Sequence, residues 1–152
     1  MALDRIEGGR AAEAARVVRC CFVQSQGQIS PREYASCLKE ALAMIRTNGL
    51  GQALAFLYAK GDLRRRVSLQ LCGWLFARFP FLRQQGGQAG GNINAVNIDE
   101  REVEGFLNRL QSGGIGSSLY FDLTAEALAF LEWMSRFAAG LGEQPEPAQR
   151  GR

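Results

Sequence analysis

The stretch ISPREYASCLKEALAMIRTNGLGQALAFLYAK, residues 29–60, contains the start and stop signals of two consecutive helices. Ser30 is placed to cap the first of them, and Pro31 occupies its first helical position. Glu33, three residues after Ser30, completes the pattern of a capping box, in which the two side chains bond each other's backbone amides. The sequence therefore predicts that a helix begins directly after Ser30.

The apolar residues that follow recur with the period of an α-helix. They form one stripe, made of Tyr34, Leu38, Ala41, Leu42 and Ile45. Asn48-Gly49 ends this helix, because a glycine after the last turn adopts the left-handed backbone conformation without steric cost. A second, shorter helix is predicted from Leu50 to the next glycine, Gly61.

One further helix is predicted on each side of this pair. Residues 3 to about 24 form the first, with small and apolar residues facing inward. Asp62 is expected to cap another helix after the pair, and Phe79-Pro80 ends it, because proline cannot continue a helix. Its inward positions are Val67, Leu71, Trp74 and Leu75.

Two helices are predicted in the C-terminal third of the chain. Asn97 or Asp99 is placed to cap the fifth helix. Thr124 is expected to cap the sixth, with Glu126 in its first turn, and Gly140 is expected to end it. No segment shows the alternation of polar and apolar residues that is typical of strands, so the predicted fold class is all-α, a compact bundle of about six helices.

The domain organisation expected from composition is simple. Residues 1–141 are predicted to form a single helical domain, since a chain of 152 residues is long enough to bury a core of its own. Residues 83–97, rich in Gly, Gln and Asn, are expected to form a mobile loop within it. Residues 142–152 are expected to be a disordered tail.

The residue types present exclude several classes of function. The chain has no histidine, which removes the commonest general base and most zinc and iron sites. Its four cysteines have no CxxC spacing and are interpreted as buried free thiols. No signal peptide and no membrane-spanning run is evident, so a soluble, cytoplasmic protein is expected. No active site, cofactor, metal or small-molecule substrate is predicted.

The charges are distributed unevenly along the chain. Residues 1–98 have a net charge of +7, whereas residues 99–152 have a net charge of −4. A basic half joined to an acidic half is suited to binding an anion or to stacking with copies of itself. The alternative is a solvated surface whose charges are merely unevenly spread.

The basic residues follow a helical spacing that favours a nucleic-acid backbone as the anion. Arg32, Lys39 and Arg46 are seven residues apart, so they lie above one another on one helix face, about 10.5 Å apart along the axis. Lys60 and the run Arg64, Arg65 and Arg66 follow. The run opposes the dipole at the start of its helix, so an anionic neighbour is expected there. Arg16 and Arg19 are predicted to point outward from the first helix.

Two blocks of sequence resemble the small helical subunit of the type III-B CRISPR RNA-targeting complex, the Cmr complex. The first block contains Met44, Ile45, Asn48, Gly49, Leu50, Ala53, Leu54, Ala55, Phe56, Leu57 and Lys60. The second contains Tyr120, Leu123, Thr124, Glu126, Ala127, Leu128, Leu131, Trp133, Arg136 and Phe137. The loop at 83–97 belongs to neither block and is interpreted as a local insertion.

The resemblance implies a non-catalytic role in antiviral defence. In such complexes several small subunits stack head to tail beside the guide-bearing backbone subunits, together with a large polymerase-like subunit. The stacked small subunits and the backbone subunits together form a basic groove that holds target RNA against the guide. The resemblance points to Lys60, and to Lys39, Arg46 and Arg136 within its blocks, as RNA-binding residues. Arg16, Arg19 and Arg64 to Arg66 are added from charge and helix position alone.

Two alternatives remain open at this point. One is a protein–protein spacer whose surface charges serve only subunit stacking, with no direct contact to RNA. The other is the small subunit of the related type III-A complex, against which the two blocks argue.

Overall fold

The computed structural model of the protein describes residues 2–25, 27–83 and 98–142. These residues form six α-helices and one short 3₁₀ helix. The α-helices are α1 (Ala2–Ser25), α2 (Pro31–Asn48), α3 (Leu50–Lys60), α4 (Asp62–Arg78), α5 (Glu100–Ser112) and α6 (Ser117–Gly142), and the 3₁₀ helix Pro80–Leu82 follows α4. No strand is present within these ranges, so the all-α prediction is confirmed. The predicted loop and tail lie outside the described residues, apart from Arg83 and Gly142.

One contiguous apolar core joins the helices. The most extensive helix contacts are those of α6 with α2 and with α1, and α6 also packs on α4. α3 packs on α4, α2 and α5. The predicted stripe of α2, from Tyr34 to Ile45, is buried along its whole length. Within the described helices, none is long and apolar enough to span a membrane.

Helix α2 begins and ends where predicted, although by different local bonds. Ser30 has the extended backbone of an N-cap, but its side chain makes no capping hydrogen bond, so the predicted capping box is wrong. Pro31 already fixes the first helical backbone angle, so the start does not depend on the hydroxyl group. Gly49 has a positive φ of 88°, with a ψ of 162°, which is an extended glycine conformation rather than the left-handed helical one. This conformation lets α3 begin at the next residue, Leu50.

Helix α4 does not begin with Asp62 as its cap. Gly61 is the N-cap residue, and Asp62 is the first helical residue, with a φ of 50°. Because only Gly61 separates α3 from α4, the chain must turn within one residue, and aspartate tolerates a positive φ better than most side chains do. The other end of α4, before Phe79-Pro80, lies where the sequence predicts it.

Helix α5 is capped as predicted, and α6 is not. The carboxylate of Asp99 accepts a hydrogen bond of 2.9 Å from the amide of Arg101 at the start of α5. Helix α6, however, begins seven residues before Thr124, at Ser117. The Thr124 hydroxyl donates to the carbonyl oxygen of Tyr120, one turn earlier, at 2.8 Å. A hydroxyl group bonded in this way fits inside a helix, so the predicted cap is wrong.

The two other predictions for α6 also need correction. Glu126 was expected in the first helical turn, but it lies well inside the helix and is buried. Gly140 was expected to end α6, yet the helix continues to Gly142. A single glycine costs a helix only about 1 kcal/mol, which the packing of the preceding turns on the core outweighs.

Candidate nucleic-acid interface

The outer face of α2 carries three cations in a row. Arg32, Lys39 and Arg46 are all exposed, and they lie opposite the buried stripe that begins at Tyr34. Burial of the stripe therefore fixes the direction in which the row faces. No hydrogen bond or ion pair joins Arg32 or Lys39 to any other residue that the structure describes. Within the part of the chain that the structure describes, nothing therefore neutralises either side chain, and both can meet an external anion.

The C-terminal end of this row meets helix α6. Arg46 Nη2 lies 2.8 Å from Glu132 Oε1, and the two side chains remain 56% and 45% exposed. Arg136 follows Glu132 by one turn of α6, and its guanidinium lies 4.9 Å from the centre of the Trp133 ring. Packing of α2 on α6 thus brings Arg46 and Arg136 into one neighbourhood, although they are distant in sequence.

The N-terminal end of the row opens into a surface groove of about 430 Å³, between the start of α2 and the junction of α3 with α4. Its charged lining consists of the cations Arg32, Lys60 and Arg64 and the acids Glu33, Glu40 and Asp62. Cations and acids are balanced here, so the groove is less basic than the charge of the N-terminal half suggests. Lys60 also lies 5.1 Å from the centre of the Phe56 ring.

The basic run at the start of α4 finds its anionic neighbours within the chain. Arg64 Nε lies 3.1 Å from Glu40 Oε2 on α2. Arg65 lies 4.2 Å from the centre of the Tyr58 ring, and its Nη2 is 3.5 Å from Glu100 Oε2. These carboxylates offset the unfavourable position of the arginines at a helix N-terminus. An external phosphate is therefore not required to explain the run.

The remaining predicted cations lie outside the groove. Arg66 is exposed, and its Nη1 lies 4.0 Å from the sulfur of Cys21 on α1. Arg16, also on α1, donates from Nε to Glu13 at 2.9 Å, one turn earlier. Arg19 is exposed on the same helix. The structure thus brings Lys60 and Arg64 together with Arg32, whereas Arg16 and Arg19 belong to another part of the surface.

Sequence reasoning missed a buried charge cluster centred on Glu126. Arg10 donates to both carboxylate oxygens, at 2.9 and 2.8 Å, and the indole of Trp74 donates at 2.9 Å. Arg78 Nε lies 3.6 Å away. The signal was the spacing of Glu126, three residues after buried Leu123, which places it on the inward face of α6.

The cluster has a clear electrostatic consequence. Burial by itself would raise the pKa of Glu126, but the hydrogen bonds from Arg10 and Trp74 and the charges of Arg10 and Arg78 outweigh burial. The pKa is therefore held below its ordinary value, and Glu126 is ionised at neutral pH. Helices α1, α4 and α6 are joined by this one carboxylate.

A second contact missed by sequence reasoning joins the two sequence blocks. The hydroxyl of Tyr120, near the start of α6, accepts a 3.0 Å hydrogen bond from the amide of Gly51. Gly51 is in the first turn of α3. The N-cap residue of this helix is Gly49, which has no side chain that could accept a hydrogen bond from the amide. Tyr120 therefore caps α3 from a distant helix. The same hydroxyl lies 3.2 Å from where a Cβ atom of residue 49 would be, which leaves little room for a larger residue.

The cysteines lie apart from the basic surface, except that Cys37 contributes to the groove wall. All four are free thiols, and Cys21, Cys37 and Cys72 are buried. Burial raises the pKa of Cys37 to about 11 and that of Cys72 to about 12, so both are protonated at neutral pH. Over the ranges that the structure describes, no group of three His, Cys, Asp or Glu side chains is placed to hold a metal ion.

Comparison with known proteins adds the family. No solved structure matches the chain. The family of the CRISPR-associated protein Cas_Cmr5 matches residues 6–141, which is most of the sequence. The matched region includes both blocks that the Tyr120 contact joins, and it supports the resemblance noted from the sequence. The chain therefore belongs to the Cas_Cmr5 family, and it is a small, all-helical subunit of the type III-B CRISPR complex.

Proposed function

We propose that this subunit is a non-catalytic structural part of an RNA-guided RNA-targeting complex, and that it holds target RNA against the guide by phosphate contacts. In this proposal it stacks head to tail with copies of itself. Family membership implies that its partners are other subunits of the Cmr complex. We propose that these partners include the guide-bearing backbone subunit and the large polymerase-like subunit.

The observation that carries the proposal is the row of exposed cations on α2. Arg32 and Lys39 have no partner among the described residues, and the row continues to Arg46 at one end and to the groove with Lys60 at the other. Cations spaced along a surface bind a phosphate backbone without reading its bases. Base specificity would then come from pairing between guide and target.

The test is a triple charge reversal, Lys39→Glu, Arg46→Glu and Lys60→Glu, assembled into the complete complex with a guide RNA. The expected result is an intact fold with weaker capture of a complementary target RNA. The salt dependence also becomes shallower. Each phosphate of a single strand that the protein no longer neutralises reduces the slope of log K against log salt by about 0.7. Melting of the isolated variant checks the fold.

Arg101→Glu provides a control at a single site. Arg101 is an exposed cation in the first turn of α5, outside the row and the groove, so its reversal changes charge without touching the proposed interface. Affinity and slope should stay at the wild-type values in this control. A triple variant with unchanged affinity and slope would remove Lys39, Arg46 and Lys60 from the RNA interface.

A second candidate function is a protein–protein spacer without RNA contact. It is favoured by two exposed aromatic residues, Phe81 and Phe121, which are 67% and 73% exposed. It is also favoured by the many arginines whose charge is already neutralised within the chain, among them Arg46, Arg64 and Arg65. Charge reversal would then break assembly of the complex before it changes RNA capture. Size-exclusion chromatography of the assembled particle detects this loss of assembly.

A further inference from the structure

Three of the proposed RNA-binding arginines are held by carboxylates from neighbouring helices, and Arg46 and Arg64 make the two closer pairs. Arg46 on α2 pairs with Glu132 on α6 at 2.8 Å, and Arg64 on α4 pairs with Glu40 on α2 at 3.1 Å. Both pairs are open to solvent, since Glu132 and Glu40 are 45% and 36% exposed. The neighbouring cations Arg32 and Lys39 have no such partner among the residues described.

We propose that Glu40 and Glu132 act as internal counterions that compete with the RNA backbone for Arg64 and Arg46. This inference rests on the proposed function and concerns the regulation of the same site. A guanidinium binds a carboxylate and a phosphate in the same way, through a pair of negatively charged oxygen atoms. Each acid therefore occupies the position that a phosphate takes when RNA is bound.

The exposure of the pairs determines how the competition works. An exposed ion pair contributes little to stability, so a phosphate can displace the carboxylate without unfolding any part of the protein. The displaced carboxylate stays close to the bound phosphate, however, and repels it. Glu40 and Glu132 thus lower the affinity of the surface for any RNA strand that lacks additional contacts. A target strand that is also paired to the guide overcomes this penalty.

The buried cluster of Glu126 shows the opposite arrangement. The Glu126 side chain is 9% exposed, and its carboxylate is bonded by Arg10 and Trp74, so no external phosphate can take its place. Only the acids at the solvent-exposed pairs can be exchanged. The inference therefore applies to Glu40 and Glu132 and not to every acid that contacts an arginine.

The experiment compares Glu40→Gln, Glu132→Gln and the double variant in the assembled complex, with a labelled RNA complementary to the guide and an unrelated RNA of equal length. We expect affinity for both RNAs to increase, by about threefold for each single variant and about tenfold for the double variant, at low salt. The fold-gain should be similar for the two RNAs, because the repulsion acts on the phosphate backbone and is independent of base pairing with the guide.

Asp122→Asn is the matched control. Asp122 is exposed on α6 and has no ion pair to a described residue, so its replacement changes the net charge by the same amount without releasing an arginine. Affinities equal to wild type in both glutamine variants overturn the inference. An equal gain in Asp122→Asn also overturns it, since the effect would then come from net charge alone.

The triple charge reversal distinguishes this failure from failure of the proposed function. If that variant loses RNA while Glu40→Gln and Glu132→Gln bind as wild type, the phosphate-binding surface stands and the counterion role is wrong. If neither the reversal nor the glutamine variants change RNA capture, the proposed function and the inference fail together.

Discussion

Replacing Glu126 by glutamine is expected to destabilise the protein far more than the same replacement at Glu132. Both residues are glutamates on α6 that pair with an arginine from another helix, at 2.8 Å in each case. They differ in burial, because the side chain of Glu126 is 9% exposed and that of Glu132 is 45% exposed. The comparison therefore sets a buried carboxylate bonded by Arg10 and Trp74 against an exposed carboxylate paired with Arg46.

The magnitudes follow from this difference. Removing one partner of a buried ion pair costs about 3–5 kcal/mol, because the other charge is left buried without compensation. Glutamine keeps one oxygen that can accept a hydrogen bond from Arg10 or Trp74, so we expect a destabilisation near the lower limit, about 3 kcal/mol. The exposed pair of Glu132 contributes less than about 1 kcal/mol.

Urea unfolding of the full chain at neutral pH measures both effects. For a slope of about 2 kcal/mol per molar urea, a destabilisation of about 3 kcal/mol lowers the unfolding midpoint by about 1.5 M. Midpoints that fall equally in the two variants would refute the reasoning, since the buried cluster would then stabilise the fold no more than the exposed pair does.

The pH dependence provides a second check with a defined sign. The pKa of Glu126 is lowered in the folded protein, so its stabilising effect is complete above the unfolded pKa of about 4.3. The effect declines as the pH falls through the folded pKa, and glutamine does not titrate. The stability difference between wild type and Glu126→Gln should therefore shrink in acid. A difference that grows as the pH falls contradicts this account.

Three further predictions concern the local contacts of the fold. Tyr120→Phe removes the hydroxyl that caps α3 and should lower the free energy of unfolding by about 1 kcal/mol, as measured by urea denaturation. Gly49→Ala should cost about 2 kcal/mol, because its φ of 88° strains any residue with a Cβ atom; a cost of less than about 0.5 kcal/mol would contradict this. Asp99→Ala removes the cap of α5 and should cost about 1 kcal/mol, while the neighbouring exposed substitution Arg101→Ala should change stability little.

The helices themselves could be predicted from the sequence, because their apolar residues recur at the helical period. The stripe from Tyr34 to Ile45 is buried as expected, and so are Val67, Leu71 and Leu75 of α4. Several helix ends could not be predicted, as Thr124 illustrates. A threonine is equally able to cap a helix or to bond the preceding turn within it, and its neighbours in the fold decide between the two.

The candidate site was predictable only in its exposed cations. The spacing of Lys39 and Arg46 correctly placed both side chains on the outer face of α2. The carboxylates that pair with the cations come from distant parts of the sequence, as Glu132 does for Arg46. Such pairs depend on how helices pack on one another, and no local pattern encodes this. Whether the cations contact RNA stays a prediction.

The hydrogen bond from Gly51 to Tyr120 has a consequence for the order of events on the ribosome. The two residues are separated by 69 positions, so α3 emerges well before the side chain that caps it. At a synthesis rate of about 5–20 residues per second, the first turn of α3 lacks this partner for about 3 to 14 seconds. Helix α6, which also packs on α1, α2 and α4, is the last of the described helices to be made. The nascent chain therefore completes its tertiary structure late, when α6 is released, rather than helix by helix.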